Sequence, residues 1–502
     1  MPTYSNRNLT ELPELPDNLE SLNCYHNQLS ELPTLPNSLQ RLHCYDNQLR
    51  ELPTLPDNLQ FLDCQLNQLT ILPNLPNNLR ELNCERNRLT TLPTILPDSL
   101  RKLWCGYNHL ETLPNLPDSL EGLYCYNNQL TALPTILPNS LSSLYCGNNR
   151  LTTLPILPNS LLSLDCEYNQ LKALPFLPNS LQYLYCDNNQ LTALPTILPN
   201  RLHSLKCYSN QLTALPTILP DRLEDLYCYN NQLRELPTLP NNLHVLKCYS
   251  NQLRELPTTL PNNLRYLYCY NNQLTALPTT LPNNLRELDC HNNQLEALPT
   301  TLPNRLERLY CHNNELTTLP ELPDGLLHLH CHNNELTTLP HLPSNLQILK
   351  LSVYQVVLFN IDLRTPVAFS TTSGSTSNIP ISTLSRYLIY KPIVIEIVDE
   401  NKYPTEITSE SEQRYKTINN KITELKTQLR DRLILNCPRY KEITGNSRTL
   451  KTIAKRLLPE KISSLPEDVP INVLLKGFLG GKKSKRKSKR KSNKKKRTTR
   501  KK

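Results

Sequence analysis

Glycine is scarce in this chain, with 9 in 502 residues, and so are Met (1), Trp (1) and Phe (5). So little glycine leaves few places for the backbone loops that cradle phosphates. The opening stretch MPTYSNRNLTELPELP has no apolar run, so a secretory signal is not expected. Nowhere do about 18 apolar residues follow one another, the length that marks a membrane-spanning helix. Histidine is missing after His341, and acidic residues are missing from 482–502, where 15 Lys or Arg are packed. The net charge of +10 is therefore a property of the tail. The rest of the chain holds 39 basic against 44 acidic residues and carries −5.

What the chain does have is 43 Pro, 24 Tyr and 17 Cys, and most of them are periodic. Sixteen Cys fall at 24, 44, 64, 84, 105, 125, 146, 166, 186, 207, 228, 248, 269, 290, 311 and 331, always 20 or 21 residues apart. The unit reads LPxLPxxLxxLxCxxNxLxx, as in LPTLPNSLQRLHCYDNQLRE, and a longer form adds one residue between the prolines, as in LPTILPDSLRKLWCGYNHLET. An Asn follows every one of these Cys by three residues, from Asn27 to Asn334. Self-similarity at such a period is the signature of a solenoid, in which each repeat buries its apolar side only against its neighbours.

Each position in the unit has a physical role. In Leu22-Asn23-Cys24-Tyr25 strand alternation sends Leu22 and Cys24 inward and Asn23 and Tyr25 outward. Successive repeats then add parallel strands about 4.8 Å apart, and the Leu and Cys positions line up as columns of one core. The Asn closes the turn after the strand, where its amide can pair backbone groups otherwise buried alone. Two prolines per repeat forbid a regular helix on the return path, so the convex side should be extended or polyproline-like.

This pattern resembles the leucine-rich repeat, with Cys in one of the usual Leu positions. The LPxLP element is similar to the short repeats of bacterial secreted effectors of the YopM and IpaH-like type, and the resemblance runs from Leu12 to Leu351. It implies a parallel β-solenoid used for binding macromolecules. The Cys column departs from those effectors. Their ligase members carry a C-terminal catalytic domain with a Cys-x-Asp motif, whereas the one Cys outside the array here, Cys437, is followed by Pro438 and Arg439. In composition and in its tail the whole chain also resembles giant-virus (mimivirus-like) repeat proteins.

The Cys column admits three states: reduced small core residues, disulfides between adjacent strands, or metal ligands. Reduced core thiols are the expectation, because free Cys is among the most buried residue types. In-register Cβ atoms near 4.8 Å lie outside the preferred disulfide range of about 3.5–4.5 Å. In Cys290-His291 and Cys311-His312 the two side chains point to opposite faces and cannot share an ion. A reducing, intracellular setting follows, in the cytoplasm or nucleus of a host cell or with a virion. A nucleophile at Cys437 needs a base, which only the array has a His to supply, so no catalytic residue is expected. No metal or cofactor is expected either.

The residues on either side of each Cys project from the concave sheet. The preceding row holds Trp104, Tyr124, Tyr145, Tyr185, Tyr227, Tyr268 and Tyr310, and the following row Tyr25, Tyr45, Tyr126, Tyr208, Tyr229, Tyr249 and Tyr270. Thus 13 of the 24 Tyr, and the single Trp, share one face. Such residues bury large area with a polar handle and concentrate binding energy. The competing reading is that Tyr is a good strand former that duplication copied regardless of use. Near the end the following row becomes His291, His312 and His332, with His330 beside them; stacked His can bind a metal or respond to mild acid. Copying of the CHNN sequence explains them without either.

The chain divides into a repeat array over 1–351, a strand-rich cap over 352–405, a helical region over 406–481 and a disordered basic tail over 482–502. The array starts in mid-repeat, with Tyr4 at the Cys position and Arg7 at the Asn position, a thin cap whose edge is open to pairing. It ends with Leu351 at the Cys position and Tyr354 at the Asn position. SVYQVVLFNIDL and YLIYKPIVIEIV read as strands, and Tyr415, Ile418, Ile422, Leu425 and Leu429 as one side of an amphipathic helix. Leu450, Ile453, Leu457 and Leu458 suggest a second helix ended by Pro459. The fold class is therefore a β-rich solenoid with a small α+β region and a tail.

In the tail, Lys485, Arg486, Lys487, Lys489, Arg490, Lys491, Lys494, Lys495, Lys496 and Arg497 form a polyanion-binding run without interleaved aromatics. It suits nuclear import, salt-sensitive contact with nucleic acid or another anionic surface, solubility, or phospho-regulation. Ser484, Ser488 and Ser492 recur every four residues between basic pairs, and phosphorylating all three would add roughly −5 to −6. The functional expectation is a non-enzymatic scaffold that binds an unidentified protein partner on its concave face. Its rivals are an adaptor or component of a ubiquitin ligase, with the repeats selecting the target, and a structural component of a particle.

Overall fold

The computed structural model describes residues 4–352 throughout, together with the backbone of 367–370 and 394–398. The array is a stack of short turns around a single Leu and Cys core, with no helix among the described residues. Its strands are three residues long from β1 (Ser21–Asn23) to β16 (His328–His330), and β17 (Ile348–Ser352) has five. Each pairs in parallel and in register with the next, so that Leu22 faces Leu42 and Leu329 faces Leu349. The strands are shorter than the sequence pattern suggests, ending one residue before Cys. The ladder nevertheless continues past them, because the Cys24 N–H donates to His43 O at 2.9 Å and the Cys44 N–H to Asp63 O at 2.9 Å.

Each repeat contributes one Cys and three to five buried Leu to the core. In one turn Leu39, Leu42, Cys44 and Leu49 are fully buried, and Leu52 and Leu55 nearly so. Burying each Leu contributes about 1.5–3 kcal/mol relative to leaving it in water. The sixteen array thiols are buried, with no disulfide among them, as expected of reduced core residues. Several donate weakly to the next strand, as Cys64 Sγ does to Asn83 O at 3.4 Å and Cys186 Sγ to Lys206 O at 3.4 Å. Burial pushes the Cys125 and Cys228 thiols up to about 12, which keeps them protonated and unreactive.

The Asn column does what its chemistry allows. Asn149 Nδ2 donates to Cys125 O (3.0 Å), Cys146 O (3.1 Å) and Gly147 O (3.2 Å), while its Oδ1 accepts from the Leu130 N–H at 3.0 Å. The same four bonds recur from Asn47 to Asn334, so each amide rivets its own turn to the one before it. A second column, of Ser and Asn, does this on the return path, where Ser140 Oγ donates to Leu120 O and Asn242 Nδ2 to Asp221 O. There the chain is extended apart from tight turns, closed for example by the Leu59 N–H donating to Pro56 O at 3.0 Å. The prolines thus sit on a helix-free path, as expected.

One requirement of the turn is absent from the repeat consensus. The residue two after each Cys is left-handed in all sixteen turns, with φ between 47 and 55°. Asn fills this place eight times, but Leu66, Arg86, Tyr107 and Tyr168 fill it as well, against a cost of about 1–2 kcal/mol for a residue with a full side chain.

At the N-terminal end Tyr4 takes the Cys place, its N–H donating to Asn23 O at 2.8 Å, and the Leu9 N–H bonds Asn27 Oδ1 just as Leu29 bonds Asn47. At the other end Leu351 is fully buried in the Cys place. Two further parallel strands follow, β18 (Val367–Ser370) and β19 (Val394–Val398), with Val367 opposite Ile395. The second lies within the expected YLIYKPIVIEIV strand. The first falls beyond SVYQVVLFNIDL, most of which lies outside the described residues. The two expected helices, Tyr354 and the basic tail also lie outside them.

Candidate partner-binding face

The last residue of each strand and the first residue after Cys form two neighbouring rows along the array. The twelve aromatic residues from Trp104 to Tyr310 singled out in the sequence stand in these rows, and all are half-buried. In the strand-end row Trp104, Tyr124 and Tyr145 stack in series, with centroids 5.3 and 5.1 Å apart. Further on, lysines separate the tyrosines. Lys206 Nζ sits 4.0 Å from the Tyr185 ring centre, and Lys247 Nζ lies 4.9 Å from Tyr227 and 5.2 Å from Tyr268. A cation over a ring face is attracted by about 0.5–1 kcal/mol at an exposed site, so the lysines help to fix the rings. Tyr310 closes the row beside His330, 4.5 Å away.

The row after Cys belongs to the loop beyond the strand, and here the rings meet face to face. Tyr208, Tyr229, Tyr249, Tyr270, His291, His312 and His332 form one continuous stack with centroids 4.2–4.3 Å apart. Tyr25 and Tyr45 stack in the same way at 4.5 Å. Stacking occupies the ring faces, so this row presents edges and hydroxyls outward. Tyr126 behaves differently. Its ring lies over Gly106, where a Cβ would come within 3.1 Å of it, and its hydroxyl donates to Glu85 Oε1 at 2.7 Å.

The electrostatics of the face follow from its partial burial. Desolvation, then bonding to Asp187, pushes the Tyr208 phenol up, and burial with the Glu287 carboxylate does the same to Tyr268. Both therefore remain hydroxyl donors. Burial raises Glu167 to about 7 and Asp63 to about 6, and pushes Asp165 and Asp187 above the usual carboxylate range. Asp187 is fully buried, and its Oδ1 has no hydrogen-bond partner.

Three histidines at this end of the face are held out of the mild-acid range. Burial, then the neighbouring cationic groups, lowers His312 to about 2, His330 to about 3 and His332 to about 4. The rings stay neutral through the range where an ordinary His titrates. Nδ1 of His312 and of His332 is buried without a partner. Among the described residues no group of three or more His, Cys, Asp or Glu is placed to hold a metal ion.

The sequence rows missed Lys206 and Lys247, although the series Tyr185, Lys206, Tyr227, Lys247, Tyr268 is readable at the repeat period. They also missed a shallow depression of about 670 Å³ beside the loop row, lined by Tyr107, His109, Asn127, Asn148, Tyr168 and Asn188. The basic run Lys485 to Arg497, expected to bind polyanions, and the serines 484, 488 and 492 lie outside the described residues. No helix among the described residues is long and apolar enough to cross a membrane.

Comparison with known proteins bears on this geometry. A family model of leucine-rich repeats (two copies) matches residues 262–304 and 283–324. Among solved structures the chain is similar to YopM from Yersinia enterocolitica, with 39% identity and a TM-score of 0.62 over 70% of this chain and 86% of that one. It is similar to a leucine-rich-repeat protein of Leptospira interrogans, with 30% identity and a TM-score of 0.51 over 66% of this chain and 90% of that one. In fold alone it is similar to the functional domain of InlJ from Listeria monocytogenes, described as including a cysteine ladder, with 24% identity and a TM-score of 0.51 over 72% of this chain and 76% of that one. No match was found among curated protein sequences.

Proposed function

This chain belongs to the leucine-rich-repeat proteins, and from that premise we propose that it is a non-enzymatic interaction scaffold that grips a protein partner along the aromatic rows. The observation that carries the reading is the pair of adjacent lines between Tyr185 and His332: tyrosines spaced by lysines on the strand ends, and a continuous ring stack beside them. Rings held by their neighbours have already lost much of their rotamer freedom. A partner that docks on them gives up less entropy than one that must order free side chains. Phenol donors, ring edges and the Lys206 and Lys247 ammoniums suit a partner surface carrying apolar and acidic groups.

The basic tail is a second, independent contact, to nucleic acid, to another anionic surface or to nuclear import machinery. Its charge density supports polyanion binding without sequence preference. Effector-like relatives support action within a host cell.

An affinity pull-down from cell lysate tests the reading with three baits: the full chain, residues 1–481, and a Tyr227→Ala/Tyr268→Ala double variant. Each is washed at low and at high salt. Protein partners should stay on the truncated chain at high salt and be lost from the double variant. If everything recovered depends on the tail and washes off with salt, the rows are a duplicated scaffold and the proposal fails.

A further inference from the structure

The return path carries a feature that partner binding on the strand side does not use. The position ten residues before each array Cys points away from the core: Ile136 is 82% exposed, while the adjacent Leu137 is 6% exposed. In most turns a polar residue stands there, for example Thr34, Asn115, Thr238 and Glu321. Ile95 stands there by itself, separated from the rest by Asn115, and in five consecutive turns the residue is large and apolar. Ile136, Ile156, Phe176, Ile197 and Ile218 are 82, 86, 78, 76 and 79% exposed. In-register turns set them in one line at about 5 Å per turn, a ridge about 20 Å long. The ridge is flanked by exposed residues that are mostly uncharged, Thr135, Thr196 and Thr217 on one side and Asn139, Asn159, Asn179 and Asn200 on the other, with Asp221 as the one charge, at the Ile218 end. At about 150–200 Å² of side-chain surface each, about four-fifths of it exposed, the five leave about 600–800 Å² of apolar surface in water. Soluble monomers rarely carry an apolar patch beyond about 300–600 Å².

We propose that this ridge is a self-association surface on which two copies of the chain pair across a two-fold axis at Phe176. Its order is the first argument. Two Ile lie on each side of one Phe, so an antiparallel two-fold sets Phe176 against Phe176, Ile156 against Ile197 of the second copy, and Ile136 against Ile218 of the second copy. A two-fold contact must be self-complementary in this way, because residue i meets j and j meets i. Area is the second argument: the ridge together with its flanking residues supplies about the 800 Å² per copy that a stable interface of standard size buries. Charge is the third. The flanking Thr and Asn let like surfaces meet without repulsion, and charge depletion is the compositional mark of an interface core. Pairing through the return path leaves the aromatic rows open, so a dimer would present two partner-binding faces.

Sedimentation equilibrium of the full chain tests this, after nuclease treatment and in about 0.5 M salt, where contacts of the basic tail are screened. The expected mass is twice the 57.8 kDa of one chain. Phe176→Lys, Ile156→Lys and Ile197→Glu should each raise the dimer dissociation constant by at least about 100-fold, as the loss of a central anchor does. Far-UV circular dichroism should not change, because these side chains touch no core. Mixing Ile156→Lys with Ile197→Glu should restore association, since the two-fold register brings the new Lys and Glu face to face. A parent chain that sediments as a monomer at micromolar concentration overturns the proposal. So does a Phe176→Lys chain that dimerises like the parent, or a mixture that associates no better than either variant alone.

Discussion

Replacing Asn149 probes what joins one turn to the next. Its amide makes four bonds, and the partners do not lose equally when it goes. Cys125 O keeps a bond from Asn128, Cys146 O keeps one from Asn169, and Gly147 O keeps the Asn127 N–H. The Leu130 N–H has no partner but Asn149 Oδ1, and it is left buried and alone in Asn149→Ala. An orphaned buried donor costs about 1–3 kcal/mol, and the three weakened carbonyls add to it, so about 2–4 kcal/mol is expected. Asn149→Asp has the same shape and still accepts from Leu130, yet it points a carboxylate oxygen at three carbonyls. It should destabilise more than Ala at neutral pH, by roughly a further 2 kcal/mol, and recover part of that in acid as the carboxyl becomes a donor. Urea unfolding followed by far-UV circular dichroism gives the order. Hydrogen exchange at Leu130 should rise in the Ala variant and stay protected in the Asp variant. If Asn149→Asp is as stable as the parent, or more stable than Asn149→Ala at neutral pH, the amide is not acting as a donor rivet and the reasoning fails.

Three other outcomes are expected. Leu66, held at φ 53° and 41% exposed, should stabilise the array by about 0.5–1 kcal/mol when changed to Asn, read as a higher urea midpoint; an unchanged or lower midpoint would contradict the strain assigned to the turn. The sixteen array thiols should resist alkylation in the native state and react only on unfolding, as counted by mass spectrometry; rapid native labelling of any of them would refute their burial. Glu167 is raised by burial to about 7, so it folds at no charge penalty below its unfolded value of about 4.5. The penalty grows as pH rises from there through 7, so Glu167→Gln should stabilise the protein at pH 8 and change nothing at pH 4; an equal effect at both would show that the carboxyl is not desolvated.

The repeat itself was legible because each of its fixed residues answers to a local rule. Leu and Cys alternate with polar neighbours across a strand, Pro bars a helix on the return path, and Asn recurs where a turn buries its own amides. Tyr4 and Leu351 could be placed at the ends from alignment alone, and both stand where the alignment puts them. The left-handed residue after each strand was not legible, since Leu66, Arg86 and Tyr168 have no preference for that backbone. Nor was the difference between the two aromatic rows. The sequence sets Tyr208 and Tyr227 side by side as outward residues, but only the packing of neighbouring turns gives one row its face-to-face stack and the other its lysine spacers.

The sequence by itself thus determined the solenoid, its period and the composition of its core, because those follow from interactions within a repeat and with its immediate neighbour. Tertiary structure alone decided everything that depends on several turns acting together. Burial by adjacent turns lowers His312 and His332 out of the mild-acid range that free histidine would occupy. In the same way Ile136, Ile156, Phe176, Ile197 and Ile218 carry the composition of core residues, and only the direction of the return path at each turn puts them in water. Hydrophobicity records what a side chain gains from burial; whether a neighbour is there to bury it is set by the fold.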